Sequence, residues 1–201
     1  MTLRLGVLVS GRGSNLQAIL DAAAAGTLDA KVVAVVSDKP DAPALRRAKE
    51  EVAVTVDRRA YPSGASGAEP FEDAVASALE ERGVELVVLA GFMRILGPAF
   101  IRRFAGRIVN IHPSLLPSFP GLHAQRQALK HGDKISGCTV HLVDETLDGG
   151  SILAQAAVPV LPGDTEESLS ERILKEEHRL LPEVLRKWPI KKQRSAAGCP
   201  A

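Results

Sequence analysis

The stretch Asn110-Ile111-His112-Pro113-Ser114-Leu115-Leu116-Pro117 sets an amide and an imidazole two residues apart at the end of an apolar run. In an extended strand, residues i and i+2 point to one side. Asn110 and His112 therefore share a face near the C-terminal end of their strand, where open α/β sheets hold ligands. Asparagine supplies an amide donor, and histidine gives or takes a proton near neutral pH. Together they suit the negative charge that grows on a carbonyl oxygen under attack. A hydrogen-bonded strand-end Asn beside a buried neutral His has the same sequence, although the proline-rich exit, by fixing the chain, favours a site. Asp148, in Leu147-Asp148-Gly149-Gly150, is a carboxylate able to orient a histidine or accept a proton directly or through water. Asp-Gly is equally a preferred turn dipeptide. A chemical role for Asp148 depends on its meeting His112 in space.

A second group is Ser10-Gly11-Arg12-Gly13-Ser14-Asn15, between an apolar run and a helical pattern. Glycines let the backbone turn sharply and approach a ligand. The free amides and positive dipole end of the next helix suit an anion. The third glycine of the dinucleotide fingerprint is missing, and no Gly-Lys-Ser/Thr completes a P-loop. A single phosphate fits better than a pyrophosphate, and a plain strand-to-helix turn capped by Ser14 or Asn15 is the alternative. Arg94 is able to bind an anion or stack on a flat ring, or else simply faces solvent. His141 shares a face with Thr139 in a strand-like run, where a hydrogen-bonded structural histidine is the default. His123, His131 and His178 read as surface or structural residues. The five histidines and two cysteines show neither HExxH nor paired CxxC spacing, so no metal is expected.

These residues need a scaffold, and the chain alternates short Val/Leu runs with helical patterns, the mark of parallel βαβ units. Strands are expected at 3–10, 31–37, 54–57, 86–90 and 107–112. Helices are expected at 14–25, with Leu16, Ile19, Leu20 and Ala23 on one face and Gly26 as the stop, and at 42–51, 69–83 and 98–104. Residues 62–68 read as a mobile Ser/Gly/Ala loop. After the prolines at 113, 117 and 120 comes a short helix at 125–131. Strands at 138–143 and 151–160 follow, joined by residues 145–150, whose Asp-Gly-Gly favours antiparallel pairing. Asp164 with Glu167 resembles a capping box for the last helix, and Pro182 should kink or divide that helix. Residues 189–201 are basic and rich in small residues, and are expected to form a loose tail.

The 201 residues are enough for one large domain or two small ones, and 45% hydrophobic content supports a sizeable core in which 3% aromatics leave the work to Ala, Val, Leu and Ile. Twenty-five basic residues against 24 acidic ones speak against a long polyanion, whose binding usually draws on a basic surplus. Two distant cysteines do not make a disulfide framework. No secretory leader or membrane-length apolar run is visible, so the expected address is the cytoplasm, without a membrane or nucleic-acid partner.

Taken together, the segments at 10–20, 89–100, 110–129, 137–150 and 152–169 resemble the glycinamide ribonucleotide transformylases, a family of folate-dependent formyltransferases. The Asn-x-His-Pro-Ser-Leu-Leu-Pro segment with the later Asp-Gly-Gly is specific for formyltetrahydrofolate enzymes as a group, and the Gly-Ser-Asn loop narrows the choice. The resemblance implies an α/β formyltransferase fold with a Rossmann-like parallel N-terminal half and antiparallel strands added in the C-terminal half. It implies one domain over 1–188, with a phosphate-binding half to about residue 100 and a folate and catalytic half from about 101. The implied reaction moves the formyl group of 10-formyltetrahydrofolate, a co-substrate, to the amine of glycinamide ribonucleotide in purine synthesis, by a monomer or homodimer. By similarity Asn110, His112 and Asp148 are catalytic, Gly13, Ser14 and Asn15 hold the substrate phosphate, and Glu177 binds the substrate. Met93, Arg94, Ile95 and Leu96 line up with the folate pocket, together with Val143, Asp144, Glu145, Thr146 and Leu147. One departure is Leu174, beside Lys175, where some relatives carry a polar or basic phosphate-side residue. Formyltetrahydrofolate deformylase and a non-catalytic folate-binding protein are the alternatives on the same fold.

Overall fold

A computed structural model describes residues 2–62 and 68–189. Five strands pair in parallel: β1 (Leu3–Val9), β2 (Ala30–Ser37), β3 (Ala53–Thr55), β4 (Leu86–Leu89) and β5 (Ile108–His112). Two more, β6 (Ile135–Leu142) and β7 (Ile152–Pro159), continue the sheet antiparallel. The order β3-β2-β1-β4-β5-β6-β7 makes an α/β structure whose parallel half carries the antiparallel extension that the family resemblance implies, and β6 and β7 pair antiparallel as the Asp-Gly-Gly turn favours. β4 is apolar throughout, and β1 carries no polar side chain from Leu5 to Val9, because both faces are covered there. β1 sends Leu5, Val7 and Val9 to one side and Leu8 to the other.

Helices α1 (Ser14–Ala24) and α5 (Glu166–Arg186) cover the first side, where Leu16, Ile19, Leu169, Ile173, Leu181 and Leu185 are fully or almost fully buried. Helices α2 (Ala68–Glu80) and α3 (Pro98–Arg103) cover the second, with Phe71, Leu79, Phe100 and Phe104. Helix α4 (Ala124–His131) packs against α5. No helix among the described residues is long and apolar enough to cross a membrane.

Four local expectations need correction. Residues 42–51 form two 3₁₀ turns, Pro43–Arg47 and Glu50–Val52, instead of an α-helix. Only Ala42 and Ala44 are buried there, so no apolar stripe sustains a helix. The turn is instead docked on the glycine loop by Ala44 N–H to the Gly11 carbonyl (3.0 Å) and Arg47 Nε to the Arg12 carbonyl (2.7 Å). The N-cap of α1 is Gly13, in a left-handed conformation, and neither Ser14 nor Asn15 caps it. The capping box of α5 uses Thr165 and Ser168, one residue later than expected. Asp164 still contributes, accepting from Ser168 Oγ at 2.7 Å and pairing with Arg172 at 2.8 Å. Finally, of the two outcomes expected at Pro182, a kink or a division, division does not occur, since α5 is continuous from Glu166 to Arg186. Proline there removes one helical hydrogen bond, but buried Leu180, Leu181, Val184 and Leu185 on both sides of it hold the helix to the sheet. The expected mobile loop falls mainly, and the expected tail almost wholly, outside the described residues.

Candidate active site

The alternation of β5 separates its functions. Val109 and Ile111 enter the core on the α1/α5 side, which leaves Asn110 and His112 on the other face. The antiparallel register sets His141 opposite Asn110 and Thr139 opposite His112. After β6 the chain must fold back over this face to reach β7. Gly150 permits the return, since a Cβ there would run into the Leu142 carbonyl oxygen. Asp148 adopts a positive φ of 49° in the same turn. The turn residues of the motif thus deliver a carboxylate onto the sheet.

The result is a compact polar cluster. Asp148 Oδ2 lies 3.4 Å from His112 Nδ1, and Asp148 Oδ1 lies 3.4 Å from Asn110 Nδ2 and 3.6 Å from His141 Nε2. Asn110 Nδ2 is 3.1 Å from His141 Nε2. The strap between β5 and α4 supplies the remaining partners. The Gly121 amide donates to Asp148 Oδ2 at 2.8 Å, and the Phe119 carbonyl faces His112 Nε2 at 2.9 Å. A carbonyl only accepts, so His112 Nε2 carries a hydrogen and Nδ1 is left to the carboxylate. By the same rule His141 Nδ1 donates to the Leu142 carbonyl at 2.8 Å. Side-chain exposure is 6% for His112 and 11% for Asp148, so their attraction is little weakened by water. Burial pushes the Asp148 carboxyl up, but His141, the Gly121 amide and the charge of a protonated His112 outweigh it and hold the group below its ordinary value.

The strap is itself fixed from β6 and β7. Thr139 Oγ1 donates to the Ser114 carbonyl (2.7 Å) and accepts from the Leu116 amide (3.0 Å), while Gln155 Nε2 donates to the Leu116 carbonyl and to Thr139 Oγ1, both at 2.9 Å. His141, read from the sequence as a structural strand residue, belongs to the cluster. Its placement follows from the β5–β6 register, and the alternation within β6 was the signal available.

At the other candidate site, Gly13 has φ 72°, and a Cβ there would stand 2.6 Å from the Ala44 Cβ. Glycine is required both for the backbone angle and for the packing. The loop ends at the start of α1, whose first-turn amides have no partner within the helix. Asn15 Nδ2 donates to Glu177 Oε2 at 2.7 Å, which joins the loop to α5. Burial pushes Glu177 up, against the hydrogen bond from Asn15. Asn15 Oδ1 is buried with no partner among the described residues. A groove of about 490 Å³ opens beside this loop, lined by Ser14, Gln17, Asp21, Arg47, His178 and Pro182. Leu174 is half-buried and Lys175 exposed on the same helix.

The remaining residues matched to the folate pocket fall into two segments that border one apolar cluster, through Phe92 and Val143. Met93, Ile95 and Leu147 expose 60%, 80% and 56% of their surface, and burying them against an apolar ligand would be favourable. Leu96 differs: its side chain is buried in the α2/α3 core. Arg94 is held by Asp38, Nε to Oδ2 at 2.9 Å. Asp144 accepts from the Thr146 amide, and Glu145 pairs with Arg102 at 3.1 Å. Among the described residues no group of three or more His, Cys, Asp or Glu is arranged to hold a metal.

The chain is similar to known proteins over most of its length. Residues 3–185 match the family described as Formyl transferase. The phosphoribosylglycinamide formyltransferase of Escherichia coli strain K12 is 45% identical over 179 residues, covering 89% of this chain and 84% of the relative. The trifunctional purine biosynthetic protein adenosine-3 of Drosophila melanogaster is 48% identical over 186 residues, and the chain spans 14% of that protein's length. The crystal structure of glycinamide ribonucleotide transformylase 1 from Symbiobacterium toebii superposes with a TM-score of 0.87 at 52% identity, covering 92% of this chain and 86% of that one.

Proposed function

The chain belongs to the formyl transferase family, and on that premise we propose that it transfers the formyl group of 10-formyltetrahydrofolate to the amine of glycinamide ribonucleotide, releasing tetrahydrofolate. The observation that carries this reading is the convergence of Asn110, His112 and Asp148 within 3.4 Å contacts from segments 38 residues apart in sequence. The amine nitrogen attacks the formyl carbon, negative charge grows on the formyl oxygen, and positive charge grows on nitrogen. Asn110 holds the oxygen together with protonated His112, whose Nε2–H turns to it from the Phe119 carbonyl that it faces at 2.9 Å. The Asn110–Asp148 contact, at 3.4 Å, is long for a hydrogen bond, so one amide hydrogen turns readily to substrate. Asp148 faces the His112 ring at 3.4 Å and passes the amine proton, through water, toward the leaving folate nitrogen. The new C–N bond forms as the old one breaks, and the amine loses one proton as the folate nitrogen gains one.

Gly13, Ser14 and Asn15 receive the ribonucleotide phosphate on backbone amides, with Glu177 as an acceptor for the substrate's polar groups. Segments 93–96 and 143–147 hold the folate, and the two halves, to about residue 100 and from about 101 to 188, act as one unit. Both substrates are small and soluble, which suits the cytoplasmic address expected from the sequence. The test is donor turnover with and without glycinamide ribonucleotide. Formyl transfer that requires the ribonucleotide is expected; steady release of formate from the donor at the same rate without it would identify a deformylase instead.

A further inference from the structure

Three buried polar side chains take no part in the chemistry above, yet all end on one stretch, residues 91–97. Ser10, at the end of β1, accepts from the Met93 amide through Oγ at 2.8 Å and donates its own amide to the Gly91 carbonyl at 3.1 Å. Asp38, just after β2, accepts from Arg94 Nε at 2.9 Å. Glu72, on α2, accepts from the Gly97 amide through Oε1 at 2.9 Å. Their exposures are 4%, 2% and 6%. Buried carboxylates carry a desolvation cost that such bonds offset in part. Burial pushes Glu72 up, the Gly97 amide opposes this, and Glu69 and Asp73 add to the rise; Asp38 keeps one oxygen without a partner among the described residues. Between these anchors Met93 and Ile95 stand 60% and 80% exposed, while Leu96 is fixed in the core. A loop that is pinned from three separate elements and still presents apolar side chains outward has the build of a preformed binding wall.

We propose that Ser10, Asp38 and Glu72 are positioning residues for donor binding, fixing the 91–97 backbone from beneath so that Met93 and Ile95 form an apolar wall for the flat ring system of the reduced folate. The inference rests on the reading that this segment holds the donor. Holding the wall in place before the ligand arrives lowers the ordering cost of binding.

The test measures kcat and the KM of each substrate for Glu72→Leu and Glu72→Gln. Glu72→Leu is expected to raise the donor KM about tenfold, equivalent to about 1.4 kcal/mol, with kcat and the ribonucleotide KM within about twofold. Glu72→Gln keeps an acceptor oxygen for the Gly97 amide and is expected to restore most of the donor KM. Should Glu72→Leu fail to fold, Asp38→Ala, which removes the acceptor for Arg94 Nε, reads the same split through the second anchor. Equal changes in both KM values, or a lower unfolding temperature with an unchanged donor KM, would overturn the tether. A wild-type chain that turns over no donor is a separate result, which removes the functional reading itself and the tether with it.

Discussion

Replacing Asp148 by asparagine is expected to lower kcat for formyl transfer by about 10²–10⁴, with little change in either KM. The substitution keeps the shape of the side chain and an oxygen for the Gly121 amide, so the turn that carries it is preserved. It removes the negative charge that faces His112 Nδ1 at 3.4 Å and the base that takes the amine proton. The loss therefore belongs to the transition state, where charge separates, and an equal fall in kcat and kcat/KM is its signature. The pH dependence has a defined sign. The Asp148 carboxyl is held below its ordinary value of 3.8. Its charged form, and the stability that form contributes, is fully present above the unfolded value and is lost as pH falls through the lower folded value. An acid-side loss of turnover with a midpoint above 3.8 that vanished in Asp148→Asn would contradict this assignment.

The second large effect is expected from His112→Ala, a fall in kcat of about 10²–10³, the scale of losing one oxyanion donor from a water-poor site. Exposure of 6% at the His112 side chain means that a water molecule entering the space left behind meets the Phe119 carbonyl and Asp148, without the fixed geometry of the ring. The substitution also leaves the Asp148 carboxylate without the imidazole that faces it at 3.4 Å. Stability is therefore expected to fall as well, and unfolding measured alongside turnover separates the two losses. Activity within about tenfold of wild type, in protein shown to be folded at the assay temperature, would remove His112 from the chemistry.

The site was legible in the sequence where local rules apply. Alternation in β5 was enough to set Asn110 and His112 on one face, because a strand has a period of two wherever it lies. Proline and glycine marked the strap and the return turn. Asp148 was ambiguous, since turn chemistry explains Asp-Gly without any catalysis; only the fold-back of residues 143–151 brings its carboxylate to the sheet. His141 and Asp38 were not recognised for a related reason. The first depends on strand register and the second on a contact across 56 residues, and neither leaves a local pattern. The fold errors share a cause too. Residues 42–51 have helix-forming composition, but hydrogen bonds to the glycine loop decide their shape. Pro182 breaks a local rule that the packing of α5 overrides. The capping box moved by one residue because Thr165 and Ser168 serve as well as the pair ahead of them.

Asn110, His112 and Asp148 are held to act as one unit on one reacting carbon, and a double-variant cycle tests this most directly. Turnover is measured for His112→Ala, Asp148→Asn and the two combined. Residues that work through each other are strongly non-additive, so the double variant is expected to be no slower than the slower single variant by more than about threefold. Losses that multiply in full would mean that the imidazole and the carboxylate act independently, and would contradict the shared site.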